Sequence, residues 1–208
     1  MNKMGELLHA YNQWGQLVKT EDRETLLKEI RDFSYKHGDA NLAVETIYVV
    51  LSNSNGELYV VRRGDKPENP NRFDKTVGGH VHVGETAFST LYRETREEIG
   101  VQVILVDLFG YPQAAYAIDT TQFALVRPID YHPWMKSIRY VKDGAPWVKR
   151  HKVTIFAGRY DGAVQFIDGE ATDMQLIPEN ELLDRIKKSP DQFTYDLEVL
   201  LRNYSVFF

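Results

Sequence analysis

Apolar and polar positions change rhythm twice along the chain. In residues 1–38, Leu7, Leu8, Tyr11, Trp14 and Leu17 recur at helical spacing. Thr20 then reads as the N-cap of a second helix, with Leu26, Leu27, Ile30 and Phe33 as its buried stripe and Gly38 as its stop. From residue 41 the pattern becomes β-branched and aromatic. AVETIYVVL (43–51) and ELYVVRR (57–63) flank Asn53-Ser54-Asn55-Gly56, a hairpin signal. A polar loop with Pro67 and Pro70 leads to a short strand and turn at 76–83 and a helix over 85–99, ended by Gly100. Strands are expected at 101–111, 120–129, 148–160 and 174–178, with an irregular aromatic stretch at 130–147. Two helices finish the chain, one over 178–188 and one opened by Ser189 and Pro190. Strands interleaved with helices predict an α/β protein, a mixed sheet with helices on both faces. The expected division is an N-terminal helical extension, 1–38, and a main domain, 39–208.

The helix at 85–99 carries the most specific chemistry. On a helical wheel Phe88, Leu91, Tyr92, Thr95 and Ile99 share one face, suited to burial. Glu94, Glu97 and Glu98 share another, within an arc of about 100°. Like charges three and four residues apart repel, and they lie toward the end of the helix where its dipole disfavours anions. Arg93 and Arg96 offset part of this, as in an ordinary solvated helix face. The preceding turn, Gly78-Gly79-His80-Val81-His82-Val83-Gly84, lets the backbone approach a ligand closely. A carbonyl there and the helix carboxylates form an all-oxygen donor set, which hard divalent cations prefer.

Composition narrows the chemistry. The 208 residues are 43% hydrophobic and 26% charged, so the chain as a whole is not disordered. A net charge of −5 disfavours a general polyanion binder, so no stable nucleic-acid partner is expected and any phosphate site must be built locally. The absence of cysteine excludes disulfides, thiolate zinc sites and cysteine nucleophiles, and suits a reducing cytoplasm. No apolar run approaches the ~20 residues of a membrane span.

Gly79, five residues, Glu85, seven residues, then Arg93-Glu94-Thr95-Arg96-Glu97-Glu98-Ile99-Gly100-Val101 resembles the Nudix box. The one departure is Thr95, where the pattern has a bulky aliphatic residue. The resemblance implies an α/β/α sandwich and hydrolysis of a diphosphate linkage, in a nucleoside diphosphate derivative or similar small molecule, with Mg²⁺ or Mn²⁺. It implies Glu94 and Glu98 as metal ligands, Glu97 on a second metal or a metal-held water, and the Gly78 carbonyl as a further ligand. Arg93 would orient the carboxylates and Glu85 would support the loop–helix junction. The segment 71–80 is also similar to isopentenyl-diphosphate isomerases. Those carry a catalytic cysteine where this chain has Gly78, and His80 matches one of their metal-binding histidines.

Further candidates lie in the loops. Glu98 or Glu170 could serve as general base or auxiliary ligand. Arg62, Arg63, Lys66, Arg72 and Lys75 could clamp phosphates, and Arg139, Lys142, Lys149, Arg150 and Lys152 form a second basic stretch. Among Tyr131, Trp134, Tyr140 and Trp147, a ring could stack on a base. Arg62, Arg63, Lys75, His80 and Tyr140 form the expected substrate-binding set. The competing functions are a non-catalytic module binding a diphosphate ligand and an isomerase-like enzyme. The N-terminal aromatics and the tail 204–208 suggest a homodimer contact.

Overall fold

In this computed structural model, residues 6–167, 169 and 171–208 are described. The framework is β3 (Ala43–Ser52), a strand buried almost throughout. It runs parallel to β9 (Trp147–Arg159), and β4 (Glu57–Arg63) and β6 (Val77–His80) pair antiparallel to it. The sheet continues through β8 (Phe123–Arg139) to β7 (Gln102–Leu105) on one side, and through β4 to β10 (Ala171–Pro178) on the other.

Side chains alternate across a strand, so β3 feeds two cores. Ile47, Val49 and Leu51 pack with Leu91 and Ile99 of helix α2 (Ala87–Ile99). Tyr48 and Val50 face the other way, against Leu182 and Ile186 of α4 (Glu179–Lys188) and Leu197, Leu200 and Leu201 of α5 (Tyr195–Tyr204). Helices therefore cover both faces of a mixed sheet, as the interleaved pattern predicted.

The first segment differs from expectation. Residues 7–22 form a hairpin, not a helix: β1 (Leu7–Tyr11) pairs with β2 (Leu17–Asp22), and Ala10 and Tyr11 also pair with β3. Leu8 and Ala10 are buried while Leu7 is half exposed and Trp14 mostly exposed. The effective period is two, and Gly15, at φ +75°, closes the turn. Thr20 lies in β2, and the helix after it, α1 (Arg23–His37), is capped by Asp22, whose side chain accepts from the Glu24 and Thr25 amides. Its Leu26 and Ile30 pack on Leu8, Ala10, Val44 and Trp147.

Other boundaries also moved. The expected strand over 101–111 stops at Leu105, and a short helix, α3 (Tyr111–Ala117), follows. Much of the stretch read as irregular belongs to β8, which absorbs two bulges, between Pro128 and Asp130 and between His132 and Met135. Ser189 and Pro190 open only a single 3₁₀ turn; Thr194 caps α5. On α2, Phe88 and Tyr92 are nearly half exposed, and the buried stripe is Ala87, Thr90, Leu91, Thr95 and Ile99. Thr95 fits there because its hydroxyl donates to the Leu91 carbonyl at 2.7 Å. The tail aromatics Tyr204, Phe207 and Phe208 pack on the α4–α5 core of their own chain.

Candidate active site

Helix α2 starts from a capping box in which Thr86 and Ser89 exchange hydrogen bonds. The chain just before it is tied to the helix by one ion-pair node. Arg93 donates to both Glu85 carboxylate oxygens, at 2.8 and 2.9 Å, and to the His80 carbonyl at 3.1 Å. Its other terminal nitrogen reaches Glu94 at 2.8 Å and Glu97 at 3.2 Å. Glu85 also accepts from Thr90 at 2.9 Å and from the His82 amide at 3.2 Å. The hydrogen bond from Arg93 lowers the Glu85 pKa to about 2, against the opposing effect of partial burial. A single guanidinium thus gathers carboxylates that would otherwise repel.

Gly79 makes the same arrangement possible from the strand side. A Cβ on it would stand 1.9 Å from the Glu94 Oε1 atom. At Gly78 a Cβ would lie 2.6 Å from Lys75 Cε, the position where the isomerases carry their cysteine.

Glu94, Glu97, Glu98, Gly78 and Gly79 line a cavity of about 530 Å³. Its opposite lining is basic. Lys149 and His151 project from β9, Arg139 comes from β8, Arg63 from β4 and Lys75 from the turn before β6. Lys149 lies 3.0 Å from His80 Nε2. His151 hydrogen-bonds the Tyr48 hydroxyl through Nδ1 and meets Arg139 at 3.3 Å through Nε2. Burial lowers the Lys149 pKa to about 7 and holds His80 and His151 well below the usual imidazole range. Behind them, Asp196 lies 3.2 Å from Arg139 and 3.8 Å from Lys75, and Asp74 lies 3.2 Å from Lys75 and 3.4 Å from Arg63.

The structure brings Gly78, Arg93, Glu94, Glu97, Glu98, Arg63, Lys75 and His80 to this one cavity. Arg62 and Tyr140 do not line it. Arg62 is exposed and donates to the Asn71 carbonyl, and Tyr140 carries the Arg72 guanidinium 3.7 Å above its ring. Lys75 lines the cavity, but its ammonium is committed to Asp74 and Asp196. Glu170 lies outside the described residues. Reading the sequence alone missed Glu68, Asp196 and His151 and gave Arg139 and Lys149 no specific place. His151, Lys149 and Val153 alternate on one face of β9, the only local hint that polar groups there turn inward.

Among the described residues, no three His, Asp or Glu side chains are already drawn together around a metal-sized point. The donor set nevertheless fits a hard divalent cation. Three glutamates and Gly78 line one cavity, and the missing side chain at 79 leaves the space that Glu94 uses.

Comparison with known proteins gives the family to which this site belongs. Residues 43–197 match the NUDIX domain model, and the chain belongs to the Nudix family. It is 36% identical over 104 residues to an uncharacterised Nudix hydrolase of Nostoc sp., covering 48% of this chain and 60% of that one. It is 41% identical over 61 residues to a Nudix hydrolase of Deinococcus radiodurans, covering 29% and 36%. The matches therefore span less than two thirds of either curated relative. A solved Deinococcus radiodurans structure aligns with 95% of this chain and 98% of its own at a TM-score of 0.63 and 22% identity. A MutT protein of Methanosarcina mazei aligns over 77% and 91% at 0.52 and 15% identity. At those identities the structures speak for the fold alone. No helix among the described residues is long and apolar enough to cross a membrane.

Proposed function

We propose that the chain is a cytoplasmic, divalent-metal-dependent hydrolase that cleaves the diphosphate linkage of a nucleoside diphosphate derivative or a similar small diphosphate. The observation that carries this reading is the division of one cavity into a carboxylate side and a cationic side. A metal–diphosphate complex presents both complementary charges, positive at the ion and negative at the phosphates.

Glu94, Glu98 and the Gly78 carbonyl would hold the ion, Mg²⁺ or Mn²⁺, with Glu97 on a second ion or a held water. When bound, such an ion neutralises phosphate charge and lowers the pKa of an attacking water. The protein's own residues do the rest. Arg93 keeps Glu94 and Glu97 in place through the Glu85 anchor. Lys66, which also lines the cavity, offers an ammonium suited to the oxygens of the diphosphate. Glu98 and Glu170 are the candidates to take the proton from water. Isomerisation is disfavoured because residue 78 is glycine where the isomerases carry a cysteine, and this chain has no cysteine to replace it.

The test is metal-dependent turnover across nucleotide sugars, ADP-ribose, dinucleoside polyphosphates, nucleoside triphosphates and prenyl diphosphates, with Glu98→Gln beside the native chain. A cognate diphosphate should be hydrolysed, and the variant should lose roughly 10²–10³-fold in kcat. Full activity in the variant would remove the reading.

A further inference from the structure

The cationic lining of the cavity already holds an anion, and that anion is part of the protein. Glu68 sits on the loop between β4 and β5 (Phe73–Asp74), and its carboxylate lies 3.6 Å from Arg139 Nε. Burial disfavours its charge, yet Lys149, Arg139 and Arg63 outweigh that and keep its pKa below the usual glutamate value. A distance of 3.6 Å is an ion pair without a hydrogen bond. Arg139 is 7% exposed, and its buried Nε has no hydrogen-bond partner among the described residues. The internal carboxylate therefore neutralises the pocket without saturating its donors.

The charge balance points the same way. Three carboxylates are set among these cations: Asp74 and Asp196 against Arg63, Lys75 and Arg139, and Glu68 against Arg139. Asp74 and Asp196 are fixed in β5 and α5 and are 4% and 2% exposed. Glu68 alone stands on a loop. That loop is pinned just beyond it by Asn69, whose amide donates to the Tyr140 carbonyl at 2.7 Å and whose φ is +53°. With the Glu68 side chain turned out, Arg139 and Lys149 lose the carboxylate set against them, and Arg63 stands beside them. A phosphate monoester offers three acceptor oxygens and a charge of about −2 to such a cationic group.

We propose that Arg139 and Lys149, with Arg63 at their side, form a second anion subsite of this cavity. Glu68 occupies it in the free protein, and its ligand is a phosphate monoester that the substrate carries in addition to its diphosphate. This deepens the hydrolase reading and rests on it for the word substrate; the anion site itself does not. Turning the Glu68 side chain out opens the subsite, so Glu68 acts as an internal competitor that weakens binding of any ligand lacking a dianionic group. An anion there also favours the charged form of Lys149, whose burial otherwise disfavours it.

The experiment is calorimetric titration of the full chain with inorganic phosphate near neutral pH in EDTA, so that no metal contributes. Glu68→Gln should bind phosphate about tenfold more tightly than the native chain, and Lys149→Met should bind it at least about tenfold more weakly. Glu68→Gln changes a loop residue and keeps the test decisive even if Lys149→Met fails to fold. Unchanged or weaker phosphate binding in Glu68→Gln overturns the proposal, as does native-like binding in a folded Lys149→Met. A second arm compares KM for a nucleoside diphosphate derivative with and without an added ribose phosphate. The phosphorylated form should show a KM about tenfold lower, and Lys149→Met should erase that difference. Equal KM values in the native chain overturn the substrate class. Loss of turnover in Glu98→Gln tests the hydrolase reading separately, because the phosphate titration in EDTA does not depend on it.

Discussion

The two sides of the cavity are built by opposite strategies. The carboxylate side is local. Gly79, Glu85, Arg93, Glu94, Glu97 and Glu98 come from the end of β6, the turn after it and one helix, and Arg93 organises the carboxylates over a span of thirteen residues or fewer. The cationic side is assembled from distant chain segments. Arg63, Lys75, Arg139, Lys149 and Asp196 come from two sides of the sheet order and a C-terminal helix, and they meet only because the sheet has formed. The local side is half exposed at Glu97, whereas Lys75, Arg139, Lys149 and Asp196 of the assembled side are buried. Charges near water can be rearranged to take a metal, while buried charges must be balanced within the fold.

The largest effect that would break this contrast is on stability. Removing the carboxylate in Asp196→Ala leaves the buried cluster of Arg139, Lys75, Asp74 and Glu68 one counter-charge short, at a cost of about 3–5 kcal/mol. Glu97→Gln, on the exposed side, should change stability by less than ~1 kcal/mol. Denaturant unfolding of both variants checks the pair. Equal losses would mean that the two sides are not energetically distinct.

A somewhat smaller effect falls on activity. In Gly79→Ala the new methyl must displace the Glu94 carboxylate, because 1.9 Å is far inside contact distance. Turnover should fall about 100-fold, equivalent to ~2.7 kcal/mol in the barrier. The melting temperature should move little, since the flexible end of Glu94 gives way. If stability falls and turnover does not, Glu94 has no part in the chemistry and the glycine serves packing alone.

The same contrast explains what could be read from the chain. The box was legible because its meaning lies in short spacings on one helix, and α2 ends at Gly100 as expected. The sandwich was legible because β3 and β4 read as β-branched and aromatic runs around a hairpin turn, with helix-like segments interleaved further on. The N-terminal hairpin was not, because Leu7, Tyr11 and Trp14 mimic a helical period while the buried pair Leu8 and Ala10 carries the true one. The Asn12–Gly15 turn was the signal that would have found it, with the Asn12 side chain accepting from the Trp14 and Gln16 amides. The cationic side had no such signal. His151 and Arg139 gain meaning only through Tyr48 and Asp196, which lie far away in sequence. Arg62 shows the reverse error: it sits beside Arg63, but in a strand neighbours point to opposite faces, so only one of the pair reaches the cavity.

The smallest effect lies in acid stability, and it isolates the anchor of the local side. Glu85 has a folded pKa of about 2 against an ordinary value of 4.5, so its stabilisation is fully present above the unfolded pKa and is lost as pH falls toward the folded one. Discounted for its contact with solvent, the shift corresponds to ~1–2 kcal/mol at neutral pH, with the Arg93 hydrogen bond as its main cause. Glu68, Asp74 and Asp196 also have lowered values, so acid unfolding of the native chain alone would not separate them. Glu85→Gln does, because the three buried-side carboxylates are unchanged in it. The stability gap between native chain and variant should be largest at neutral pH and should close between about pH 5 and pH 2, measured by urea unfolding at each pH. A gap that persists at the acid end would show that Glu85 holds Arg93 by packing rather than by charge, and that the helix carboxylates are gathered by some means other than this ion pair.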